Sequence, residues 1–271
     1  MTVVCCDLDG VIWRGEEAIP GSARAVADLR AAGLPVTFLT NNSSATLSDY
    51  VAKLGRMGID ADPADIGSSA QAAALLLADT VPAGSRVLVC AGAGVREALA
   101  ANGFEPVDAE PADAVVVGWH REFDFERLTR AADVARRGAP FVATNTDSTY
   151  PVPGGFVPGA GALVAAVETA ASATAVVAGK PEAPTVALVR RRWGRAGVIV
   201  GDRPSTDGAL ARALEWPFAL VLTGVAGSPG GEPVPDPAPP FVAADLAALA
   251  PALARALVRA DAISVEADPL P

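Results

Sequence analysis

Residues 3–10 read VVCCDLDG, four apolar residues that lead directly into two carboxylates, Asp7 and Asp9. A short apolar run that ends in a polar turn is typical of a buried strand in a parallel sheet. The same order recurs along the chain, where a helical pattern over 22–32 ends at Gly33 and a second apolar run over 35–39 ends at Thr40. Strands that alternate with helices in this way predict an α/β fold with a doubly wound parallel sheet.

The alternation restarts at Arg86 and continues for most of the chain, which indicates two α/β modules. Candidate hinges lie at 80–85, which contains Pro82 and Gly84, and around 172–175. The further predicted strands cover 86–90, 114–118, 140–143, 176–178, 197–200 and 218–222. The further predicted helices cover 46–57, 69–78, 95–102, 125–137, 160–171, 184–193 and 244–258. The stretch 227–240 is rich in Gly and Pro and is predicted to be a loop.

Polar groups follow four of the predicted strands. In open α/β sheets, ligands bind at the carboxyl ends of the strands, so these groups converge on one crevice if the strands are neighbours. The set contains four carboxylates, one ammonium and hydroxyl groups, a combination that suits an anionic ligand bridged by a divalent cation. The groups are Asp7-Leu8-Asp9-Gly10, Thr40-Asn41-Asn42-Ser43, Gly179-Lys180-Pro181, and Gly201-Asp202 with Asp207.

Composition limits the function classes. The net charge of −10 argues against nonspecific binding to nucleic acid and against docking on anionic lipid. Three cysteines without a paired framework predict reduced thiols and a cytoplasmic protein. A single histidine, His120, excludes a metal site built from histidines. The chain has only two lysines, Lys53 and Lys180, and the second lies in one of the four polar motifs.

The four motifs, in this order and at this spacing, resemble those of haloacid dehalogenase-like phosphatases, whose first signature is D-x-D-G-[TV]. The long insertion between the second and third motifs is similar to the type II cap of the NagD-like and p-nitrophenylphosphatase-like branch. Asn145-Thr146-Asp147 and Pro158-Gly159-Ala160-Gly161 carry this second similarity. The resemblance implies a Rossmann-like core at 1–78 and 176–271, with an inserted α/β cap domain at 79–175.

The resemblance also implies roles that the chemistry supports. Asp7 is expected to attack phosphorus and form an aspartyl-phosphate. Asp9 is expected to protonate the leaving oxygen and then to deprotonate the attacking water. Thr40 and Lys180 are expected to bind and stabilise the phosphate as further catalytic residues. The expected cofactor is Mg²⁺, with Asp7, Asp9 through its backbone carbonyl, Asp202 and Asp207 as its ligands or as support for its waters.

The expected substrate is a small phosphorylated metabolite: a sugar phosphate, a glycerol phosphate, a nucleotide or pyridoxal phosphate. Tyr150 is placed by resemblance in a loop over 147–153 on the cap, where it contacts the leaving group or anchors the loop. The four tryptophans are interpreted as packing residues and His120 as a residue of a cap loop. The expected substrate-binding residues are Leu8, Gly10, Asn41, Asn42 and Tyr150.

Several alternatives stay open on the same scaffold. One is a phosphotransferase that passes the aspartyl-phosphate to another acceptor, and another is a catalytically idle protein that binds a metabolite. Two other reactions of this superfamily are disfavoured. A dehalogenase does not need Asp9, so the presence of Asp9 favours phosphoryl chemistry. A phosphonatase needs a cap lysine, and residues 79–175 contain no lysine. The expected partner is a small phosphate ester, with neither nucleic acid nor membrane, and caps of this branch often form homodimers.

Overall fold

The computed structural model describes residues 2–152, 155–228 and 230–266. The chain forms two compact units, each built from more than one stretch of sequence. The first unit contains Met1–Leu39, Val51–Ile66 and Arg190–Pro271, and the second contains Thr40–Tyr50 and Gly67–Val189. The domain boundaries expected at 78/79 and 175/176 stay a prediction.

Helices and strands alternate along the chain, as the sequence predicts. The strands are β1 (Val3–Cys6), β2 (Trp13–Arg14), β3 (Glu17–Ala18), β4 (Val36–Thr40), β5 (Ile66–Ser68), β6 (Arg86–Cys90), β7 (Glu105–Val107), β8 (Ala114–Val117), β9 (Phe141–Ala143), β10 (Thr149–Val152), β11 (Gly155–Pro158), β12 (Val176–Val177), β13 (Gly197–Gly201), β14 (Phe218–Val221) and β15 (Phe241–Ala243). The helices are α1 (Ser22–Ala31), α2 (Leu47–Arg56), α3 (Ser69–Ala78), α4 (Ala93–Ala101), α5 (Phe125–Arg136), α6 (Ala160–Ala171), α7 (Ala183–Trp193), α8 (Ala209–Leu214) and α9 (Leu246–Glu266).

A six-stranded sheet has the order β15-β14-β13-β1-β4-β5. Strand β1 lies between β13 and β4 and is parallel to both, with Cys6 opposite Val200 on one side and Phe38 on the other. Strands β14 and β15 extend the sheet in the same direction. Every residue of β1, β4, β13 and β14 is buried, which explains why these strands are nearly continuous apolar runs. The predicted α/β fold with a parallel sheet is confirmed.

A second parallel sheet has the order β12-β9-β8-β6-β7. Its strands alternate their side chains between two apolar clusters, because neighbours in a strand point to opposite faces. Val87 and Val89 of β6 pack with α3 and α4, whereas Leu88 and Cys90 pack with α5 and α6. This sheet therefore has helices on both faces, and its central strands are buried on both sides.

Side-chain caps explain where two of the helices of the second unit begin. The hydroxyl of Ser68 accepts from the Ala70 amide at 3.1 Å, and Gln71 accepts from the Ser68 amide at 2.8 Å, which is a capping box at the start of α3. A carboxylate oxygen of Asp124 accepts from the Arg127 amide at 2.8 Å at the start of α5. Both caps satisfy amides that have no partner within the helix.

Two antiparallel hairpins were not predicted. Strands β2 and β3 pair Trp13 with Ala18, and strands β10 and β11 pair Tyr150 with Val157. Tyr150 therefore lies in a strand and not in the loop expected over 147–153. None of the helices within the described ranges combines the length and the apolar character that a membrane crossing requires.

Candidate active site

Three carboxylates of the first unit converge at the carboxyl ends of two neighbouring strands. Asp7 directly follows β1, and Asp202 directly follows β13. Asp207 lies five residues beyond Asp202, in a short π-helix over Pro204–Gly208. Each side chain offers one carboxylate oxygen, and these three oxygens all lie within 4.8 Å of one another. The sequence placed all three of these residues at a metal site.

Burial makes this cluster costly unless positive charge compensates it. Asp202 and Asp207 are only 4% and 0% exposed, and Asp7 is half-buried. Buried carboxylates at this separation repel one another unless a cation or a proton lies between them. A divalent cation with a preference for oxygen ligands fits this donor set, and the remaining positions around Mg²⁺ are normally filled by water and substrate oxygens. The residues present therefore fit the expected magnesium ion.

Backbone amides and glycines fix the position of Asp202. Its Oδ2 accepts from the Val225 amide at 2.5 Å, and its carbonyl accepts from the Ala226 amide at 2.9 Å. Gly10 has a φ of 86°, and a Cβ built there would lie 2.6 Å from the Asp202 carboxyl carbon. A Cβ at Gly224 would overlap the same carboxylate. The carboxylate is therefore enclosed by loops that approach it more closely than side chains would permit.

Asp207 is held in a similar way by its own turn. Its Oδ2 accepts from the Arg203 amide at 3.1 Å, and its own amide donates to the Arg203 carbonyl at 2.8 Å. A Cβ at Gly201 would overlap the Asp207 side chain. The π-helix thus presents Asp207 to the cluster at a point where the chain leaves β13, and such π-helical turns are frequent at functional sites.

Asp9 does not belong to the carboxylate cluster found among the described residues. Its side chain instead accepts a hydrogen bond at Oδ1 from the indole Nε1–H of Trp13, at 3.0 Å. This contact separates Asp9 from the three clustered carboxylates and agrees with a role that differs from theirs. The prediction that its backbone carbonyl touches the metal stays a prediction. Trp13 was interpreted as a packing residue, and its contact with Asp9 was missed.

Leu8 and Gly10 form the turn between these groups. Leu8 is fully buried, and its carbonyl accepts from the amides of Ile12 and Trp13 at 2.9 and 3.2 Å. The Gly10 amide donates to the Trp13 carbonyl at 2.7 Å. The predicted substrate contacts of Leu8 and Gly10 stay predictions.

Four predicted residues of the second unit form a set of two hydrogen-bonded pairs. Asn41 accepts from the Lys180 amide at 2.7 Å and donates to the Lys180 carbonyl at 3.2 Å. The Asn42 amide donates to the Thr40 hydroxyl at 3.0 Å. Asn145 donates to the Asn41 carbonyl at 2.8 Å, so a residue of the insertion also supports the set. Thr40 and Lys180 are 2% and 5% exposed.

Asn42 and Tyr150 also come together within the second unit. The Asn42 amide group donates to the Tyr150 hydroxyl over a long 3.4 Å. The Tyr150 ring stacks on Trp119, with 4.5 Å between ring centroids and 27° between planes. The Trp119 indole donates to the Pro158 carbonyl at 3.0 Å. Trp119 therefore does more than pack, because it holds the ring that was expected to contact the leaving group.

Burial disfavours the thiolate form of two of the three cysteines. It raises the pKa of the Cys6 thiol well above its ordinary value, and electrostatic interactions with Cys5 and Asp7 add to this effect. Burial likewise raises the pKa of Cys90 to about 12. Both thiols stay protonated at neutral pH, and the protonated form is a poor nucleophile. Neither of these two thiols is therefore a candidate nucleophile at neutral pH.

Comparison with known proteins agrees with this geometry. The family model described as haloacid dehalogenase-like hydrolase matches residues 4–105, and a second, described as HAD-hydrolase-like, matches residues 177–249. The D-glycerol 3-phosphate phosphatase of Mycobacterium tuberculosis is 39% identical over 81% of this chain, which spans 62% of that relative's length. The acid sugar phosphatase of Staphylococcus saprophyticus is 37% identical over 74% of this chain and 78% of its own. Human glycerol-3-phosphate phosphatase is 37% identical over 81% of this chain and 78% of its own.

Solved structures show the same relationship. The structure of glycerol phosphate phosphatase from Mycobacterium tuberculosis in complex with magnesium superposes with a TM-score of 0.80 and 34% identity, over 90% of this chain and 74% of the other. A p-nitrophenyl phosphatase from Archaeoglobus fulgidus gives a TM-score of 0.82 and 28% identity, over 93% of this chain and 99% of the other. The chain therefore belongs to the haloacid dehalogenase-like hydrolases.

Proposed function

We propose that the chain is a magnesium-dependent phosphatase that hydrolyses a small phosphate ester through an aspartyl-phosphate on Asp7. The observation that carries the proposal is the cluster of Asp7, Asp202 and Asp207, whose oxygens lie within 4.8 Å of one another. The predicted class, a phosphoric monoester hydrolase, agrees with the phosphatase names of the relatives. The predicted cofactor agrees with the magnesium complex of the mycobacterial phosphatase.

The proposed reaction has two steps. In the first, a carboxylate oxygen of Asp7 forms a bond to phosphorus, the ester P–O bond breaks, and Asp9 gives its proton to the leaving oxygen. In the second, water attacks the aspartyl-phosphate, Asp9 takes a proton from that water, and phosphate leaves with Asp7 restored. A bound Mg²⁺ reduces the repulsion between the Asp7 carboxylate and the phosphate dianion.

Thr40 and Lys180 are the proposed phosphate ligands. Lys180 is buried and its backbone is fixed by Asn41, so its ammonium extends from a defined position. The Thr40 hydroxyl accepts from the Asn42 amide, and a hydroxyl that accepts still has a proton to donate. We expect Lys180 and Thr40 to bind the phosphate through these groups. Removing such a preorganised donor commonly lowers turnover by about 10²–10³-fold.

We propose a polyol phosphate, either a glycerol phosphate or a sugar phosphate, as the substrate class. The support comes from relatives named for these substrates, which are 37–39% identical to this chain. Asn42 and Tyr150 offer amide and hydroxyl groups of the kind that recognise hydroxyl-rich leaving groups. Nucleotides and pyridoxal phosphate remain in the set of substrates to be measured.

The test is release of inorganic phosphate from glycerol 3-phosphate, a hexose phosphate, a nucleoside monophosphate, pyridoxal phosphate and p-nitrophenyl phosphate. The unaltered chain is assayed with Mg²⁺ and with chelator, beside Asp7→Asn with Mg²⁺. We expect turnover that needs both Mg²⁺ and Asp7, highest with the polyol phosphates. A folded chain that releases no phosphate from any of these compounds contradicts the proposal and favours a metabolite-binding protein.

The phosphotransferase alternative is separated by adding an alcohol acceptor such as glycerol to the p-nitrophenyl phosphate assay. Hydrolysis releases p-nitrophenol and inorganic phosphate in equal amounts. Transfer to the alcohol releases more p-nitrophenol than phosphate, so the ratio of the two products distinguishes the reactions.

Two finer expectations also stay part of the proposal. A cytoplasmic location is supported by the three cysteines, which are buried and form no disulfide. A homodimer through residues 79–175 is expected from the family resemblance, and sedimentation velocity of the purified chain measures it directly. A monomer at micromolar concentration contradicts the dimer without affecting the proposed reaction.

A further inference from the structure

A tight turn brings Trp13 back beside Asp9. The Leu8 carbonyl accepts from the amides of Val11, Ile12 and Trp13, at 3.3, 2.9 and 3.2 Å. Three amides on one carbonyl fold the chain closely after the first motif. The turn places the indole of residue 13 within hydrogen-bond distance of the carboxylate four residues earlier.

The contact between these two side chains has a defined direction. An indole N–H can only donate, so Oδ1 of Asp9 is the acceptor, at 3.0 Å from Nε1. Trp13 is 1% exposed, and a buried indole N–H normally finds a partner. The bond restrains rotation of the Asp9 carboxyl group.

Lys53, one of the two lysines in the chain, contacts the face of the Trp13 ring. Its Nζ lies 4.4 Å from the centroid of the Trp13 ring, a cation–π contact. The same Nζ donates to the Gly15 carbonyl at 2.6 Å and to Glu16 at 3.1 Å. Gly15 and Glu16 form the turn of the β2–β3 hairpin, so Lys53 fixes both the ring and the hairpin that carries it.

We propose that Trp13, held in place by Lys53, is a positioning residue that orients the Asp9 carboxyl group for proton transfer to the leaving oxygen. The proposal rests on the proposed role of Asp9 as the general acid. Proton transfer needs a defined approach of donor and acceptor, and a small displacement of a catalytic group lowers the rate strongly. A carboxyl group free to rotate would spend less time in the orientation that the reaction requires.

The leaving group supplies the test. An alkoxide such as that of glycerol 3-phosphate needs its proton during bond cleavage, whereas the p-nitrophenolate of p-nitrophenyl phosphate leaves without one. The constant kcat/KM reports the steps up to the first irreversible one, which is formation of the aspartyl-phosphate. The second step, common to all substrates, therefore does not enter the comparison.

We expect Asp9→Asn to lower kcat/KM for glycerol 3-phosphate by about 10²–10⁴-fold, and far less for p-nitrophenyl phosphate. Trp13→Phe is expected to lower kcat/KM for glycerol 3-phosphate by about tenfold, roughly the value of one hydrogen bond, with little change for p-nitrophenyl phosphate. In the double variant the Trp13 substitution adds nothing on glycerol 3-phosphate, because the group it orients is gone.

A matched control removes an equivalent bond elsewhere in the first unit. Trp216 is 7% exposed, and its indole donates to the Arg195 carbonyl at 2.9 Å. Trp216→Phe is expected to leave the ratio of the two kcat/KM values unchanged. Lys53→Met keeps the aliphatic stem, loses the cation, and is expected to shift the ratio in the direction of Trp13→Phe by a few-fold.

Each failure has its own signature. If Asp9→Asn lowers both constants equally, the proposed role of Asp9 is wrong and the inference falls with it. If Asp9→Asn separates the two substrates but Trp13→Phe does not, the positioning role alone is wrong. Should Trp13→Phe fail to fold, Lys53→Met tests the positioning role through the same ratio of kcat/KM for glycerol 3-phosphate and p-nitrophenyl phosphate. NMR gives a test that does not depend on turnover. The chemical shift of the Trp13 Nε1–H must change in Asp9→Asn but not in Trp216→Phe.

Discussion

The side chain of Asn41 binds the backbone of Lys180 on both sides. Its Oδ1 accepts from the Lys180 amide at 2.7 Å and its Nδ2 donates to the Lys180 carbonyl at 3.2 Å, across 139 positions of sequence. Gly179 permits this approach, because a Cβ there would lie 2.7 Å from the same Oδ1. The second and third sequence motifs are thus joined by one amide group, and the position of Lys180 depends on it.

Asn41→Asp tests this connection between the Asn41 side chain and the Lys180 backbone. The carboxylate keeps an acceptor but replaces the Nδ2 donor with an oxygen that faces the Lys180 carbonyl. We expect the free energy of unfolding to fall by about 1–3 kcal/mol, because a part-buried donor is lost and an oxygen is placed against the Lys180 carbonyl. Urea denaturation measures it. Asn102→Asp, which removes one local bond from an exposed residue to the Ala98 carbonyl, is the control and should cost clearly less. Equal losses in the two variants would contradict the role given to Asn41.

Gly10→Ala is expected to weaken magnesium binding. Alanine at a φ of 86° costs about 1–2 kcal/mol, and its Cβ would also displace the Asp202 carboxylate, which lies 2.6 Å away. Gly33→Ala is the matched control, because Gly33 has a φ of 83° with nothing within 4 Å of a built Cβ. Both variants should lose comparable stability from the backbone, but only Gly10→Ala should lose affinity for Mg²⁺ in calorimetric titration. Unchanged affinity in Gly10→Ala would mean that Asp202 moves without cost or does not bind the metal.

The strand-end carboxylates could be predicted because their signal is local. Four buried residues of β1 run directly into Asp7, and five of β13 run directly into Asp202, so the apolar pattern alone locates the carboxyl edge of the sheet. Asp207 lies beyond the strand end, so the sequence grouped it with Asp202 in one motif but its place at the metal came from the family resemblance. The π-helix that presents it has no side-chain signature in the sequence, since its hydrogen bonds are made by the backbone.

The hairpins and the role of Trp13 could not be predicted in the same way. Strands β2 and β3 have two residues each, too few for an alternating pattern to be recognised. The contact of Trp13 with Asp9 depends on the turn over 8–13, whose amides converge on one carbonyl without a distinctive residue type. The sequence did contain a weak signal, because Lys53 is one of only two lysines in the chain. The structure shows that this lysine lies over the Trp13 ring.

His120 is expected to make stability depend on pH. Burial lowers its pKa from the ordinary value of 6.5, and Arg127 adds to this, while the Gly118 carbonyl, Glu122 and Asp124 oppose it. Nδ1 lies 2.9 Å from the Gly118 carbonyl, and the buried Nε2 has no hydrogen-bond partner among the described residues. Between the lower folded pKa and about 6.5, the unfolded chain binds a proton that the folded chain does not.

The stability that His120 contributes is therefore fully present above pH 6.5 and is lost as the pH falls through the folded pKa. Because His120 is the only histidine, NMR of its imidazole gives the folded pKa directly. Urea denaturation across the same pH range gives the slope of the free energy of unfolding against pH. His120→Gln should remove the part of the slope below pH 6.5. A measured folded pKa above 6.5 would reverse the sign and contradict the prediction.

The chain has two tyrosines, and substituting each of them distinguishes leaving-group recognition, expected of Tyr150, from structural support, expected of Tyr50. The hydroxyl of Tyr50, which is 4% exposed, donates to the Asn42 carbonyl at 2.8 Å, whereas the hydroxyl of Tyr150 accepts weakly from the Asn42 side chain at 3.4 Å. Tyr50→Phe should therefore lower the free energy of unfolding by about 1 kcal/mol and leave substrate preference unchanged. Tyr150→Phe should cost little stability, since the stack on Trp119 is kept.

If Tyr150 contacts the leaving group, Tyr150→Phe should lower kcat/KM for glycerol 3-phosphate by a few-fold, and Tyr150→Ala, which also removes the stack, by about tenfold or more. The constant for p-nitrophenyl phosphate should follow only the second change, because an aromatic leaving group needs the ring and not the hydroxyl. Steady-state kinetics with both substrates measure the two effects. A constant ratio of the two kcat/KM values in all three tyrosine variants would leave Tyr150 as an anchor of the β10–β11 hairpin, and selection of the leaving group would have to come from other residues.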